Sequence, residues 1–77
     1  MKNVKILGTG CPKCNELEKR VKNVAEENDI SIDLEKVTKI NEILKYDVMV
    51  TPGLVIDGEV KSAGKLPADE DILSWLE

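Results

Sequence analysis

The stretch VKILGTGCPKC, residues 4–14, decides the fold. Val4, Lys5, Ile6 and Leu7 make a short β-type run, and Gly8, Thr9 and Gly10 end it. Pro12 then opens a predicted helix, since the first helical position has no intrahelical partner for the N–H that proline lacks. Cys14, Leu17, Val21, Val24 and Ala25 repeat at helical spacing, and Glu16, Glu18, Lys19, Arg20 and Lys22 largely fill the other face. A strand therefore runs directly into a helix, with Cys11 and Cys14 at the junction.

Working outward, ENDI ends this helix, and Ile30, Ile32 and Leu34 alternate with Ser31, Asp33 and Glu35 as a second strand. Thr38 is the expected cap of a short second helix ending near Tyr46, with Ile40, Ile43 and Leu44 on one side. DVMVTPG reads as a connecting turn. Leu54–Ile56 and Glu59–Lys61 flank Asp57-Gly58, a strong hairpin signal. Gly64 breaks the chain again. From about Ala68, Ile72, Leu73, Trp75 and Leu76 indicate a terminal helix, with Asp69, Glu70 and Asp71 near its positive end.

The order is β-α-β-α-β-β-α, an α/β fold. A helical crossover makes the first two strands parallel and the connection right-handed. The hairpin adds an antiparallel pair, for a mixed four-stranded sheet covered by three helices. Trp75 is expected in helix–sheet packing and Tyr46 at a surface helix end. Met49 is left between lining a groove and filling space.

Seventy-seven residues make one expected domain, 1–77. A chain of this size buries only about 60% of its unfolded surface, so stabilising cross-links are common in the class. A Cys11–Cys14 bridge would close almost no chain and remove little unfolded-state entropy, which excludes a structural staple. The net charge of −4 argues against a nucleic-acid partner. No apolar run approaches the roughly 20 residues of a membrane span, and MKNVKILG is too short in its apolar part for a signal peptide. A cytoplasmic protein is expected, and in a reducing compartment a Cys pair is more often catalytic or metal-binding than structural. Histidine is absent, which removes the commonest metal ligand and general base.

With Cys11 at the N-cap, Pro12 would be N1 and Cys14 N3. The free N–H groups and positive helix end would then favour a Cys11 thiolate. Gly8 and Gly10 leave its approach uncrowded, and Lys13 adds local positive charge that Glu16 partly opposes. Cys14, in register with Leu17 and Val21, is expected to be less exposed. One sulfur attacks and the other resolves. Cys-x-x-Cys near a βαβ pattern is itself a thioredoxin-like redox signature.

TGCPKC, then TPGLVIDGE, then a lone Gly64 before the last helix resemble the small thioredoxin-like or glutaredoxin-like redox proteins of archaea and bacteria. The resemblance covers essentially the whole chain. It implies a thioredoxin-like fold and a thiol–disulfide oxidoreductase with Cys11 as nucleophile and Cys14 as resolving thiol. It also implies a cis bond before Pro52, with Pro52 facing Cys11 and the Thr51 backbone free to pair with an extended substrate. Gly10, Pro12, Lys13 and Gly64 complete the implied substrate-binding set. No cofactor is expected beyond the Cys11–Cys14 disulfide, and no metal. The implied partners are a protein or small molecule with a disulfide and an unidentified reductase, flavin- or ferredoxin-linked by family analogy. A monomer is expected.

The chain also departs from the pattern. Gly10 stands where thioredoxins have a Trp, and Lys5 stands where they have a buried acid, six positions before the first Cys. SAGKLPADED has one Gly and a displaced acid where glutaredoxins carry a paired-glycine glutathione signature, so glutathione binding is unsupported.

Two other classes compete. Two thiolates hold soft ions such as Cu(I), and copper chaperones carry Cys-x-x-Cys before a helix. Their order, β-α-β-β-α-β, ends in a strand, whereas this chain is expected to end in a helix. A structural zinc site needs four ligands, against two thiolates and no His here. A non-catalytic fold remnant is the third class, and the intact Cys pair argues against it.

Overall fold

The computed structural model describes residues 2–10 and 12–77. Seven elements follow in the expected order: β1 (Lys2–Leu7), α1 (Pro12–Glu27), β2 (Ile32–Val37), α2 (Ile40–Leu44), β3 (Gly53–Ile56), β4 (Glu59–Ala63) and α3 (Asp69–Leu76). The strands form one sheet in the order β2-β1-β3-β4. β1 and β2 pair in parallel, placing Ile6 opposite Lys36 and Leu7 opposite Val37. β3 runs antiparallel to both β1 and β4. This is the thioredoxin-like architecture that the sequence implied.

The alternation of β1 divides the core between the faces of the sheet. Val4 and Ile6 point to one side and join Leu17, Val21, Val24 and Ala25 of α1, Leu54 and Ile56 of β3, and Ile72 and Leu76 of α3. Trp75 packs, partly buried, against this cluster as expected. Leu7 points the other way, with Val37, Ile43, Val48 and Val55. All four residues of β3 are buried, as a central strand covered on both faces requires.

The local signals for chain reversal hold. Past α1, Asp29 adopts a left-handed φ of 54°. The Ile30 N–H donates to the Ala25 carbonyl at 2.8 Å and the Asp29 N–H to the Glu26 carbonyl at 3.3 Å, a Schellman closure. That closure uses the backbone of Ile30, so β2 begins at Ile32 rather than at Ile30. In the β3–β4 turn, Asp57 and Gly58 take φ of 52° and 83°, the two positive values of a type I′ turn. Register shifts between Leu54 and Val55, which face Ser62 and Val60, so Lys61 is the extra residue of a bulge.

α2 departs from expectation. Its N-cap is Lys39, not Thr38, and no side chain caps it. It ends at Leu44, and turns carry the chain to Tyr46 and Asp47. Only Ile43 faces the core; Ile40 and Leu44 are 65% and 50% exposed. Five residues are too few for two buried rows, so one side chain anchors the helix and its apolar neighbours face outward.

Candidate active site

The site lies where β1 gives way to α1. Cys11 itself lies outside the described residues. Pro12 is the first residue of α1, the position its missing N–H suits. Pro12 and Lys13 are exposed on the first turn, and Cys14, one position on, is buried at 5% exposure.

Two features hold Cys14 in place. The Gly8 N–H donates to the Val37 carbonyl at 2.9 Å, so the end of β1 is tied to the end of β2. Gly8 also meets the Cys14 side chain directly: a Cβ at Gly8 would overlap Cys14 Sγ and lie 3.1 Å from Cys14 Cβ. The same Cβ would lie 3.9 Å from the Thr51 Cβ, so Gly8, Cys14 and Thr51 converge. The sequence suggested that Gly8 leaves an approach open; the structure shows it accommodating the second sulfur. Gly10, at φ 92°, has nothing near where a Cβ would project, and it is exposed.

The peptide bond between Thr51 and Pro52 is cis, and Pro52 is fully buried. The Gly64 N–H donates to the Pro52 carbonyl at 2.8 Å. Gly64 has φ 78°, and a Cβ there would approach Val50 Cγ2 to 2.8 Å, so both backbone and space require glycine. Gly8 thus brings Cys14 next to Thr51, and a backbone hydrogen bond ties Gly64 to the adjoining Pro52, so three separate parts of the chain meet here. Pro12, Lys13 and Gly10 border it at the head of α1.

Beside Thr51 is an apolar depression of about 230 Å³ lined by Thr9, Ile40, Ile43, Leu44, Val48, Met49 and Thr51. Met49 is 88% exposed, so it lines this groove and fills no core space. Tyr46 is half-buried rather than a surface residue, and packs against the second core cluster. Lys5 donates to its hydroxyl at 3.1 Å. That hydrogen bond, followed by the charge interaction with Tyr46, raises the Lys5 pKa above the ordinary lysine value. Lys5 lies opposite Glu35 on the α2 side of the sheet, so a lysine among Glu35, Glu42 and Lys45 stands where the related proteins were expected to carry an acid.

Sequence reading missed Asn15, Lys36 and Thr38. With Ile6, Gly8, Gly10 and Cys14 they line a small cavity of about 50 Å³. Lys36 also pairs with Glu18 at 3.2 Å, and Glu18 with Lys22 at 3.6 Å. A signal existed: parallel strands bring their C-terminal ends together, where open α/β sheets place their sites. The residues after Lys36 were thus candidates once β2 was laid beside β1. Among the described residues, no three Cys, His, Asp or Glu side chains gather as a metal-ligand set, and no helix is long and apolar enough to cross a membrane.

A β2-β1-β3-β4 sheet whose first helix buries Cys14 in its first turn, near a cis Thr51-Pro52 bond, is the architecture of the thioredoxin class of thiol–disulfide oxidoreductases. The chain belongs to the thioredoxin domain family, whose model matches residues 2–77. It is 45% identical over 73 residues to a protein named thioredoxin from Methanocaldococcus jannaschii, covering 95% of this chain and 84% of that one. It is 36% identical over 76 residues to a thioredoxin from Methanothermobacter thermautotrophicus, covering 99% of each. The observed order, ending in α3, also differs from the strand-terminated order of the copper chaperones.

Proposed function

We propose that the protein reduces disulfides through a Cys11/Cys14 dithiol–disulfide cycle. The observation that carries this reading is the position of Cys14: buried at the head of α1, against Gly8 and next to the cis Thr51–Pro52 segment, three residues after Cys11. The Cys11 thiolate attacks one sulfur of the substrate disulfide. A Cys11–substrate disulfide forms, and the other substrate sulfur leaves as a thiolate and takes a proton from water. The Cys14 thiolate then attacks Cys11 Sγ, forming the Cys11–Cys14 disulfide and expelling the second substrate thiolate. The substrate gains two electrons and the Cys pair loses them. A reductase of unidentified type returns the electrons.

The substrates are disulfides of proteins, with small-molecule disulfides accepted at the same sulfur. The exposed apolar groove beside Thr51 supports a peptide segment lying there, its backbone pairing with Thr51, with Gly10, Pro12, Lys13, Pro52 and Gly64 around it. The pair itself is the redox group. The proposed protein is a single-domain monomer working in the cytoplasm, where the reduced form is maintained.

The test uses dithiothreitol as electron donor and insulin as the disulfide protein. Cys14→Ser is expected to accumulate a covalent adduct through Cys11, and Cys11→Ser to lose turnover by at least about a hundredfold. Full reductase activity in Cys11→Ser would overturn the cycle.

A further inference from the structure

The exposed large apolar side chains of this small molecule are not scattered. Among the described residues they are Ile40, Leu44, Met49, Val50 and Val60, and all but Val60 belong to α2 or to the segment before Pro52. Ile40, Leu44 and Met49 line the groove beside Thr51. An apolar patch of this kind marks a surface that a partner covers. Met49 differs from its neighbours in carrying an oxidisable sulfur. We propose that Met49 is a modification site: hydrogen peroxide converts its thioether to the sulfoxide, which closes the groove to apolar peptide segments while small disulfides still reach the Cys pair. The inference rests on the Cys11/Cys14 cycle and the peptide groove proposed above, and adds the residue that governs which disulfides are accepted.

The fold imposes the exposure of Met49. Asp47 takes a left-handed φ of 59°, which turns the chain away from α2. Val48 is then buried in the second core cluster, and Pro52 is fully buried on the other side. The Gly64 N–H holds the Pro52 carbonyl at 2.8 Å. The segment is therefore anchored at both ends, and Met49 stands out between the anchors at 88% exposure. Its sulfur meets dissolved peroxide without any unfolding. Once Cys11 and Cys14 are joined as a disulfide, the pair offers no thiolate to peroxide. Met49 is then the accessible oxidisable sulfur among the described residues.

In the step, a lone pair on the Met49 sulfur attacks one peroxide oxygen, the S–O bond forms and the O–O bond breaks. The sulfur loses two electrons. The second oxygen leaves as hydroxide and takes the proton of the first, so one sulfoxide and one water result. A flexible apolar side chain thereby becomes polar. The thioether, beside Ile40 and Leu44, offers an apolar wall to an apolar side chain of the substrate. A sulfoxide there must give up water to make the same contact, a cost that the thioether does not carry. Disulfides too small to reach the groove are indifferent to the change.

The experiment treats the disulfide form with hydrogen peroxide, removes the peroxide with catalase and restores the dithiol with dithiothreitol, which leaves a sulfoxide in place. Peptide mass mapping separates an oxygen added at Met49 from one at Met1, the chain's other methionine. Reduction rates are then read with insulin and with hydroxyethyl disulfide, a small uncharged substrate. Insulin reduction is expected to slow on the order of fivefold, while hydroxyethyl disulfide stays within about twofold. A methionine sulfoxide reductase should restore the insulin rate. In Met49→Leu the insulin rate should be the same before and after peroxide, because leucine has nothing to oxidise. An unoxidised Met49 after treatment, an unchanged insulin rate with Met49 oxidised, equal slowing of both substrates, or the same peroxide loss in Met49→Leu would overturn the inference. The readings beneath it fail differently. If Ile40→Ser, which also alters the groove, leaves insulin reduction unchanged, the groove takes no peptide. If the untreated protein reduces neither disulfide, the Cys11/Cys14 cycle itself is wrong.

Discussion

Replacing Gly8 by Ala adds one methyl group at the point where β1 meets the second cysteine. Gly8 does not have a left-handed φ, so alanine suits its backbone, and reduced freedom of the unfolded chain alone would stabilise by about 0.4–1 kcal/mol. The contact decides the sign. The new Cβ would overlap Cys14 Sγ and sit 3.1 Å from Cys14 Cβ, while its 3.9 Å approach to Thr51 Cβ is ordinary van der Waals contact. Overpacking of this kind costs about 1–3 kcal/mol, and in a domain of this size each kcal/mol moves Tm by roughly 4–8 °C. A net loss of about 1–2 kcal/mol therefore predicts a Tm lower by ~5–15 °C. Relief requires the sulfur to move by roughly 1 Å, enough to slow an aligned reaction on the order of a hundredfold. The assay is a double-mutant cycle by thermal melting of wild type, Gly8→Ala, Cys14→Ala and the double variant. Removing the sulfur should recover most of the cost, giving a coupling of about 1–2 kcal/mol. The reasoning fails if Gly8→Ala melts with wild type, or if its cost is equal with and without the Cys14 sulfur.

Two further predictions concern stability. Ile43→Ala should destabilise by about 2–4 kcal/mol because Ile43 anchors α2 against Leu7, Val37, Val48 and Val55, whereas Ile40→Ser should stay within about 0.5 kcal/mol. Urea unfolding separates them, and equal effects would refute the assigned face of α2. Asp57 accepts the Asn3 N–H at 3.0 Å and pairs with Lys2 at 3.3 Å; the backbone bond first, then the lysine, lowers its carboxyl pKa. A depressed folded pKa contributes stability that is complete above the unfolded value of about 3.9 and is lost as pH falls through the folded value. Wild type should thus lose urea resistance below about pH 4 more steeply than Asp57→Asn, which keeps a residue tolerant of the positive φ. Parallel pH profiles would refute this.

Most of the fold was legible in short-range patterns. The apolar spacing from Cys14 to Ala25 fixes the buried face of α1, and Asp57-Gly58 fixes the hairpin turn, because both depend on periodicity or dihedral preference within a few residues. α2 was legible only in part. Ile40, Ile43 and Leu44 have helical spacing, but spacing cannot say how much of so short a helix the sheet has room to cover.

The candidate site divides the same way. The chain itself determined the Cys-x-x-Cys spacing and proline at the helix start, since each is a matter of adjacent residues, whereas the cis bond before Pro52 was implied only by the family resemblance and is fixed by the structure. Only the tertiary structure decided that Gly8 must lack a side chain for Cys14, that Gly64 binds the Pro52 carbonyl, and that Lys36 and Thr38 share a cavity with the second sulfur. Those contacts join positions far apart in sequence through the register of parallel strands and the packing of a helix over them. No local preference encodes that register; it is set by which side chains must be buried when β1, β2 and α1 close on one another.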